Sequence, residues 1–303
     1  MTMAFGIAES SSTKMENVLT IVSPNDIAQA EVDAFAEKAG ATQIDRLSRV
    51  AVDLYSDEGE ETLRALVPIA QGKGFDAAVN PAEGRRKAVL ISDMDSTIIA
   101  QECLDELAEL AGCGGEIKEI TERAMRGELD FDDALIHRVA KLRGLPVSTV
   151  DQVLSQRISL SPGARTLVST MAANGAVTAL VSGGFTLFTG PVAEQAGFAN
   201  HYGNTLEVSD DETFTGKVVF PILGQDAKRE RLLELCTLKQ VDLGAALAIG
   251  DGANDLAMIE KAGLGIAYRA KPVVAAAADA AIQHTNLKSA LYFQGYREDE
   301  FRG

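Results

Sequence analysis

The sequence predicts an α/β protein built on a parallel sheet, carrying a helical insertion and preceded by a small α+β unit. Three observations predict it. Apolar runs that each end in a polar residue (AVLISD, VTALVS, AALAIGD) alternate with helical stretches, as in a parallel sheet covered on both faces. Residues 99–160 hold four amphipathic helical patterns with no strand among them. Residues 17–79 read β-α-β-β-α-β, the order of a ferredoxin-like sandwich.

Taken in order, residues 17–22 (NVLTIV) predict a strand and Asp26 to Lys38 a helix closed by Gly40. Two strands within 42–56, a helix over Glu60–Gln71 and a strand over Phe75–Val79 complete the first unit. The polar, turn-rich Pro81–Lys87 places a boundary near residue 85, giving a first domain over 1–85 with a disordered N-terminal tail and a second over 86–303. In the insertion, Leu104, Leu107, Ala108 and Ala111 share one helical face, as do Phe131, Leu135, Val139 and Leu142. Asp130 with Asp133, and Ser148 with Asp151, read as helix starts. Beyond it come a helix from Ser161-Pro-Gly to Asn174-Gly175, a strand over 177–182, a hairpin over 202–220, a helix with Lys228 in its first turn, a strand over 245–251 and an alanine-rich helix over 273–282.

The 303 residues suffice for a well-buried core, and 28 basic against 44 acidic residues leave a formal charge of −16. That charge disfavours nucleic acid and anionic membrane surfaces as partners. Three cysteines, Cys103, Cys113 and Cys236, form neither a disulfide count nor metal-ligand spacing, which suits a reducing, cytoplasmic setting. The opening stretch has neither a charged leader nor an apolar run of signal-peptide length, and no later run approaches a membrane span.

The chemistry gathers at strand ends. AVLISDMDSTII drives a strand into Asp93 and Asp95, and strand alternation would point both carboxylates at one spot. Ligands in such sheets bind beyond the carboxyl ends of the strands, where Ser182 and Asp251 also fall. With Asp255 from IGDGANDLAMI, four carboxylates converge, and Lys228 alone cannot offset them. Mg²⁺, which takes oxygen ligands and commonly bridges carboxylates to a phosphate, can. A phosphate there would gain from Lys228, the Ser182 hydroxyl and the N–H groups of Gly183-Gly184, so the implied reaction is phosphoryl transfer. One carboxylate of the pair can attack phosphorus while the other serves as acid and then base.

Competing patterns fail. A calcium loop opening at Asp93 would need glycine and glutamate where Ile98 and Leu104 stand. Gly250-Asp-Gly252 lacks the third glycine of a dinucleotide fingerprint, and Leu180 stands where a nucleophile elbow at Ser182 needs glycine. His137, His201 and His284 have no triad-like setting. On pattern alone Met125 and Phe131 read as core, and Glu102 and Arg138 as solvated helix charges.

The ordered set DMDST, VSGG, Lys228 and GDGAND resembles the four signature motifs of the haloacid dehalogenase superfamily, and the helical insertion resembles its smaller cap type. Within it, residues 86–296 are similar to the phosphoserine phosphatases, through stretches such as LVSGGFTLFTGPVAEQAGF and ALYFQGYR. The resemblance implies Mg²⁺-dependent hydrolysis of O-phospho-L-serine, the last step of serine biosynthesis, with Asp93 as nucleophile and Asp95 as acid/base. It implies a metal held by Asp93, the Asp95 carbonyl and Asp251, supported by Asp255. Ser182, Gly183 and Lys228 would hold the phosphoryl group, and Asn254 would contact substrate or phosphate. In the cap, Glu102 would meet the substrate ammonium and Arg138 its carboxylate, with Met125 and Phe131 closing over them, which reverses the reading of those four from pattern alone. The first domain resembles ACT-type domains, which implies amino-acid binding and a homodimer through it, although SPNDIAQ lacks the glycine common there. The alternatives are phosphoryl transfer to homoserine, a non-catalytic amino-acid sensor, and a broad sugar-phosphate phosphatase.

Overall fold

The computed structural model describes residues 16–125 and 128–303, without the side chains of Met125 and Gln225. The tail expected at the N-terminus falls on residues 1–15, outside the described residues. Two sheets organise the chain. The first contains β1 (Asn17–Val22), β2 (Ala41–Arg46), β3 (Ala51–Ser56) and β4 (Asp76–Pro81), in the antiparallel order β2-β3-β1-β4. The second contains β5 (Val89–Ser92), β6 (Val177–Phe185), β7 (Asn200–Val208), β8 (Phe214–Val219), β9 (Ala246–Gly250), β10 (Leu264–Tyr268) and β11 (Ala280–Ile282), ordered β11-β10-β9-β5-β6-β7-β8 and parallel except for β8.

Alternation along the second sheet's strands fills two cores. Leu90, Leu180, Leu247 and Ile249 face one side; Val89, Ile91, Ala179, Val181 and Ala248 face the other, against Leu232, Leu235 and Met258. Burial on both faces is why these strands are continuously apolar. β5 lies between β6 and β9, with Ser92 level with Leu180 and Ile249. The chain first adds strands on the β6 side and then crosses to β9, so a switch point forms where β5 and β9 release Asp93 and Asp251.

The insertion forms helices Cys103–Leu110, Gly114–Met125, Phe131–Ala140 and Thr149–Gln156, as the periodicity predicts. Its later part is tied to the sheet. Gly144 N donates to Phe214 O (2.8 Å), Phe214 N to Leu145 O (2.9 Å) and Val147 N to Glu212 O (2.9 Å), and Arg143 Nε donates to Thr215 O (3.0 Å). The expected hairpin is thus more than a hairpin: β7 joins the parallel sheet and β8 holds the insertion.

Four expectations are corrected. The alanine-rich helix stops at Ala277, and Ala280–Ile282 becomes β11 because it pairs with β10, overriding alanine's helix preference. The helix expected over 60–71 breaks after Arg64, since Pro68 has no N–H to donate to the Arg64 carbonyl. The first helix starts at Gln29, because Asp26 pairs with Arg49 and Ile27 N bonds Arg49 O (2.9 Å). Asp130 caps through Asp133 N (2.8 Å), whereas Ser148 is already helical and makes no cap bond.

The first sheet packs its other face on the second unit. Helices cover Leu19, Ile21, Val52 and Leu54, while Val22, Ala51 and Ala78 join the core of the second unit, and Asn80 Nδ2 bonds Phe293 O (3.2 Å). Buried Asp76 accepts from Gln283 N (2.9 Å), His284 N (3.1 Å), Thr285 N (2.9 Å) and Thr285 Oγ1 (2.5 Å). Replacing Asp76 by Ala strands those donors, so denaturant unfolding should show a loss of about 2–4 kcal/mol. A loss under ~1 kcal/mol would mean that this junction is loose. Among the described residues no helix is long and apolar enough to cross a membrane.

Candidate active site

β5 ends at Ser92, and Asp93 opens a tight turn over Met94–Ile98 instead of continuing the strand. Asp93 Oδ1 accepts from Met94 N (2.8 Å), and Ser96 sits in the left-handed region at φ 53°. The two aspartates therefore converge through a turn and not through strand alternation. Asp95 is held at both oxygens: Oδ1 accepts from Cys103 N (2.8 Å) and Oδ2 from Ser182 Oγ (3.2 Å).

Lys228 is the positive centre. Its Nζ lies 2.7 Å from Asp93 Oδ1 and 2.6 Å from Asp255 Oδ1, fully enclosed. An ammonium has three donors, so one remains for a further anion. Asp255 Oδ2 accepts from Asp251 N (3.1 Å) and Gly252 N (3.0 Å), folding the last loop onto itself. Only glycine fits at 250, where a Cβ would sit 2.4 Å from the Asp255 carboxyl carbon. Thr97 donates to Asp251 Oδ1 (3.1 Å), joining the β5 and β9 loops.

Charge balance here is unfavourable. Burial first, then the Asp255 charge, push Asp93 well above the carboxylate range, against the pull of Lys228. Burial also raises Asp95 and, with Asp255, Asp251. Burial alone would lower Lys228, but Asp93 and Asp255 outweigh it and the lysine is raised. Asp93, Asp251 and Asp255 offer oxygens all within 4.8 Å of one another. This hard, all-oxygen set with surplus negative charge suits a divalent cation. Because both Asp255 oxygens are already engaged, its place in such a site is support.

Asp93, Asp95, Glu102, Phe131, Arg138, Ser182, Gly183, Asp251 and Asn254 line one cleft of ≈ 170 Å³, with Lys228 and Asp255 buried at its base. The structure thus brings together every residue expected from the strand ends and every described cap residue; the side chain of Met125 lies outside the described residues. Glu102 accepts from Ser96 Oγ (2.6 Å). Desolvation in the cleft, and then the Asp95 charge, push its carboxyl up to about 7, although the residue keeps an exposed side whose water screens part of that effect. Arg138 is lowered by burial despite the charges of Asp105 and Glu102. Phe131 reaches over Gly183, where a Cβ would meet its ring at 3.1 Å. A larger hollow of ≈ 690 Å³ lies between Arg46–Arg49 and Arg297–Asp299, where Arg49 pairs with Asp26 and Arg297 with Asp45.

The sequence profile of haloacid dehalogenase-like hydrolases matches residues 90–260, the stretch that supplies both aspartate loops, Ser182 and Lys228. The chain belongs to this family. Among the family's curated members, a phosphoserine phosphatase of Streptomyces coelicolor is 41% identical over 283 residues, covering 90% of this chain and 68% of that one. The solved structure of a haloacid dehalogenase family hydrolase from Salmonella enterica superposes with a TM-score of 0.82 at 30% identity, covering 92% of this chain and 98% of the other. A probable phosphoserine phosphatase from Vibrio cholerae, unliganded, gives 0.78 at 31% identity, covering 95% and 88%. The last two matches extend over the N-terminal sheet as well as the hydrolase unit.

Sequence reasoning missed three supports of the site: Thr97 on Asp251, the Cys103 amide on Asp95, and Asn204, which bonds Gly183 O at 2.8 Å. Thr97 is visible in the quoted motif. Asn204 shows only as one of two asparagines in an otherwise ordinary strand.

Proposed function

We propose that the protein hydrolyses O-phospho-L-serine to L-serine and phosphate. The observation that carries this reading is the pair of opposite charges, Glu102 and Arg138, on the wall of the cleft whose base holds Asp93 and Asp95. A free amino acid presents one ammonium and one carboxylate and needs such a pair, and the planar guanidinium suits the carboxylate. Names of relatives support the same substrate.

In this reading Asp93 attacks phosphorus, forming an aspartyl-phosphate, while the departing seryl oxygen takes a proton from Asp95, whose carboxyl burial raises above its ordinary value. Asp95 then accepts a proton from the water that attacks phosphorus, releasing phosphate and restoring Asp93. Ser182, Gly183 and the third Lys228 donor hold the phosphoryl oxygens, Asn254 contacts the bound ester, and Phe131 shuts the cleft against water. Mg²⁺ would be held by Asp93, Asp251 and the Asp95 carbonyl, with Asp255 in support; when bound, it supplies positive charge that keeps Asp93 ionised and offsets the phosphoryl charge. The division of the chain near residue 85 and a homodimer through the first sheet, whose β2 edge is exposed, belong to the same proposal. Three free cysteines fit a cytoplasmic setting.

Phosphate release across phosphorylated amino acids and p-nitrophenyl phosphate, with and without chelator, tests this. Phosphoserine should lead, and chelator should stop turnover. Glu102→Gln should raise the phosphoserine KM about 10- to 100-fold and spare p-nitrophenyl phosphate. Because Glu102 loses its charge as pH falls through about 7, the parent's phosphoserine KM should climb below that pH, while the variant's should not show that component. Equal loss on both substrates would remove the amino-acid assignment.

A further inference from the structure

The β6 ladder is interrupted where the phosphate-facing loop leaves it. Val181 pairs with Tyr202 and the next pairing is Phe185 with Asn204, so Ser182, Gly183 and Gly184 stand opposite Gly203 alone. Such a bulge leaves backbone groups without ladder partners and re-aims the side chains it carries. The approach is close, since a Cβ on Gly203 would lie 3.2 Å from the Gly184 oxygen.

Asn204, only 2% exposed, fills the gap. Its Nδ2 donates to Gly183 O at 2.8 Å and to Leu223 O at 3.4 Å, and its Oδ1 accepts from Leu223 N at 2.7 Å. Leu223 precedes Gly224, which begins helix Gln225–Lys239 and so sets the position of Lys228. One carboxamide thus joins the loop that presents Ser182 to the helix that presents the lysine.

We infer that Asn204 is a positioning residue for phosphoryl binding: it fixes the Ser182-Gly183-Gly184 bulge at the separation from Lys228 that one phosphoryl group spans. This rests on the reading that the cleft binds phosphomonoesters, and p-nitrophenyl phosphate keeps it separable from the choice of phosphoserine. A displacement of about 1 Å in such a site costs on the order of a hundredfold in rate.

The test uses Asn204→Ala and Asn204→Asp in the full chain with saturating magnesium, and Asn204→Ser as a milder change. The Ala and Asp variants differ in volume and charge and share the lost donor to Gly183 O. The measurements are the Ki of inorganic phosphate against p-nitrophenyl phosphate, kcat/KM for both substrates, and Tm, with kinetics taken well below each Tm. Both variants should raise the phosphate Ki and lower kcat/KM on both substrates by about 10- to 100-fold, with Asn204→Ser between them and the parent. A folded Ala or Ser variant with the parent's phosphate Ki, even at lower Tm, overturns the inference, because a purely structural amide would behave so. A parent that cleaves p-nitrophenyl phosphate but not phosphoserine, with the Ki still rising in the variants, sustains this inference and removes the substrate assignment.

Discussion

Asp93→Asn should reduce phosphate release by about 10⁴-fold or more while leaving circular dichroism unchanged. The amide fits the same turn and can still accept from Met94 N, but it cannot attack phosphorus. The same change should raise the Tm of the metal-free protein at pH 8. The sign follows from the raised Asp93 carboxyl: between the ordinary value of 3.8 and its higher folded one, the folded chain binds a proton that the unfolded chain has released, so stability falls as pH rises. Asparagine removes that loss, and its advantage should shrink toward pH 4. Saturating magnesium should reverse the order, because only the parent gains from the cation. Retained turnover in this variant would end the aspartyl-phosphate mechanism.

Lys228→Met should lower both activity and stability. Methionine fills the lysine's volume but leaves Asp93 and Asp255, both buried, without their common cation. Removing one partner from a buried ionic cluster costs about 3–5 kcal/mol, to be read by denaturant unfolding in chelator. The lysine is raised above its ordinary 10.5 and stays charged at every working pH, and because its removal raises Asp93 further, the loss should grow as pH rises. Turnover should fall by about two to three orders of magnitude through the lost phosphoryl contact. Magnesium should restore part of the stability and little of the turnover. If the metal-free variant matches the parent in stability, the lysine is not the counter-charge the geometry describes.

The parts of this protein legible in its sequence are those where one local rule acts alone. Apolar strands ending in Asp93, Ser182 and Asp251 declare a parallel sheet with its site at one edge, because buried strands leave no other place for such groups. The four helices of the insertion follow from periodicity. Two of the expectations that failed turned on a distant partner: residues 280–282 became a strand because β10 was there to receive them, and Asp26 left its helix for Arg49. Glu102 and Arg138 looked like ordinary surface charges because nothing in their local spacing records that the insertion folds back over Asp93. Asn204 was invisible for a related reason: its meaning lies in a gap left by another strand.

The bonds that tie residues 143–147 to Glu212, Phe214 and Thr215 give the lid a fixed jamb. Swinging the whole insertion about its two ends would sacrifice several of them at about 1 kcal/mol each. A motion that keeps helix Phe131–Ala140 docked on β8 and moves the helices of residues 103–125 spares those bonds.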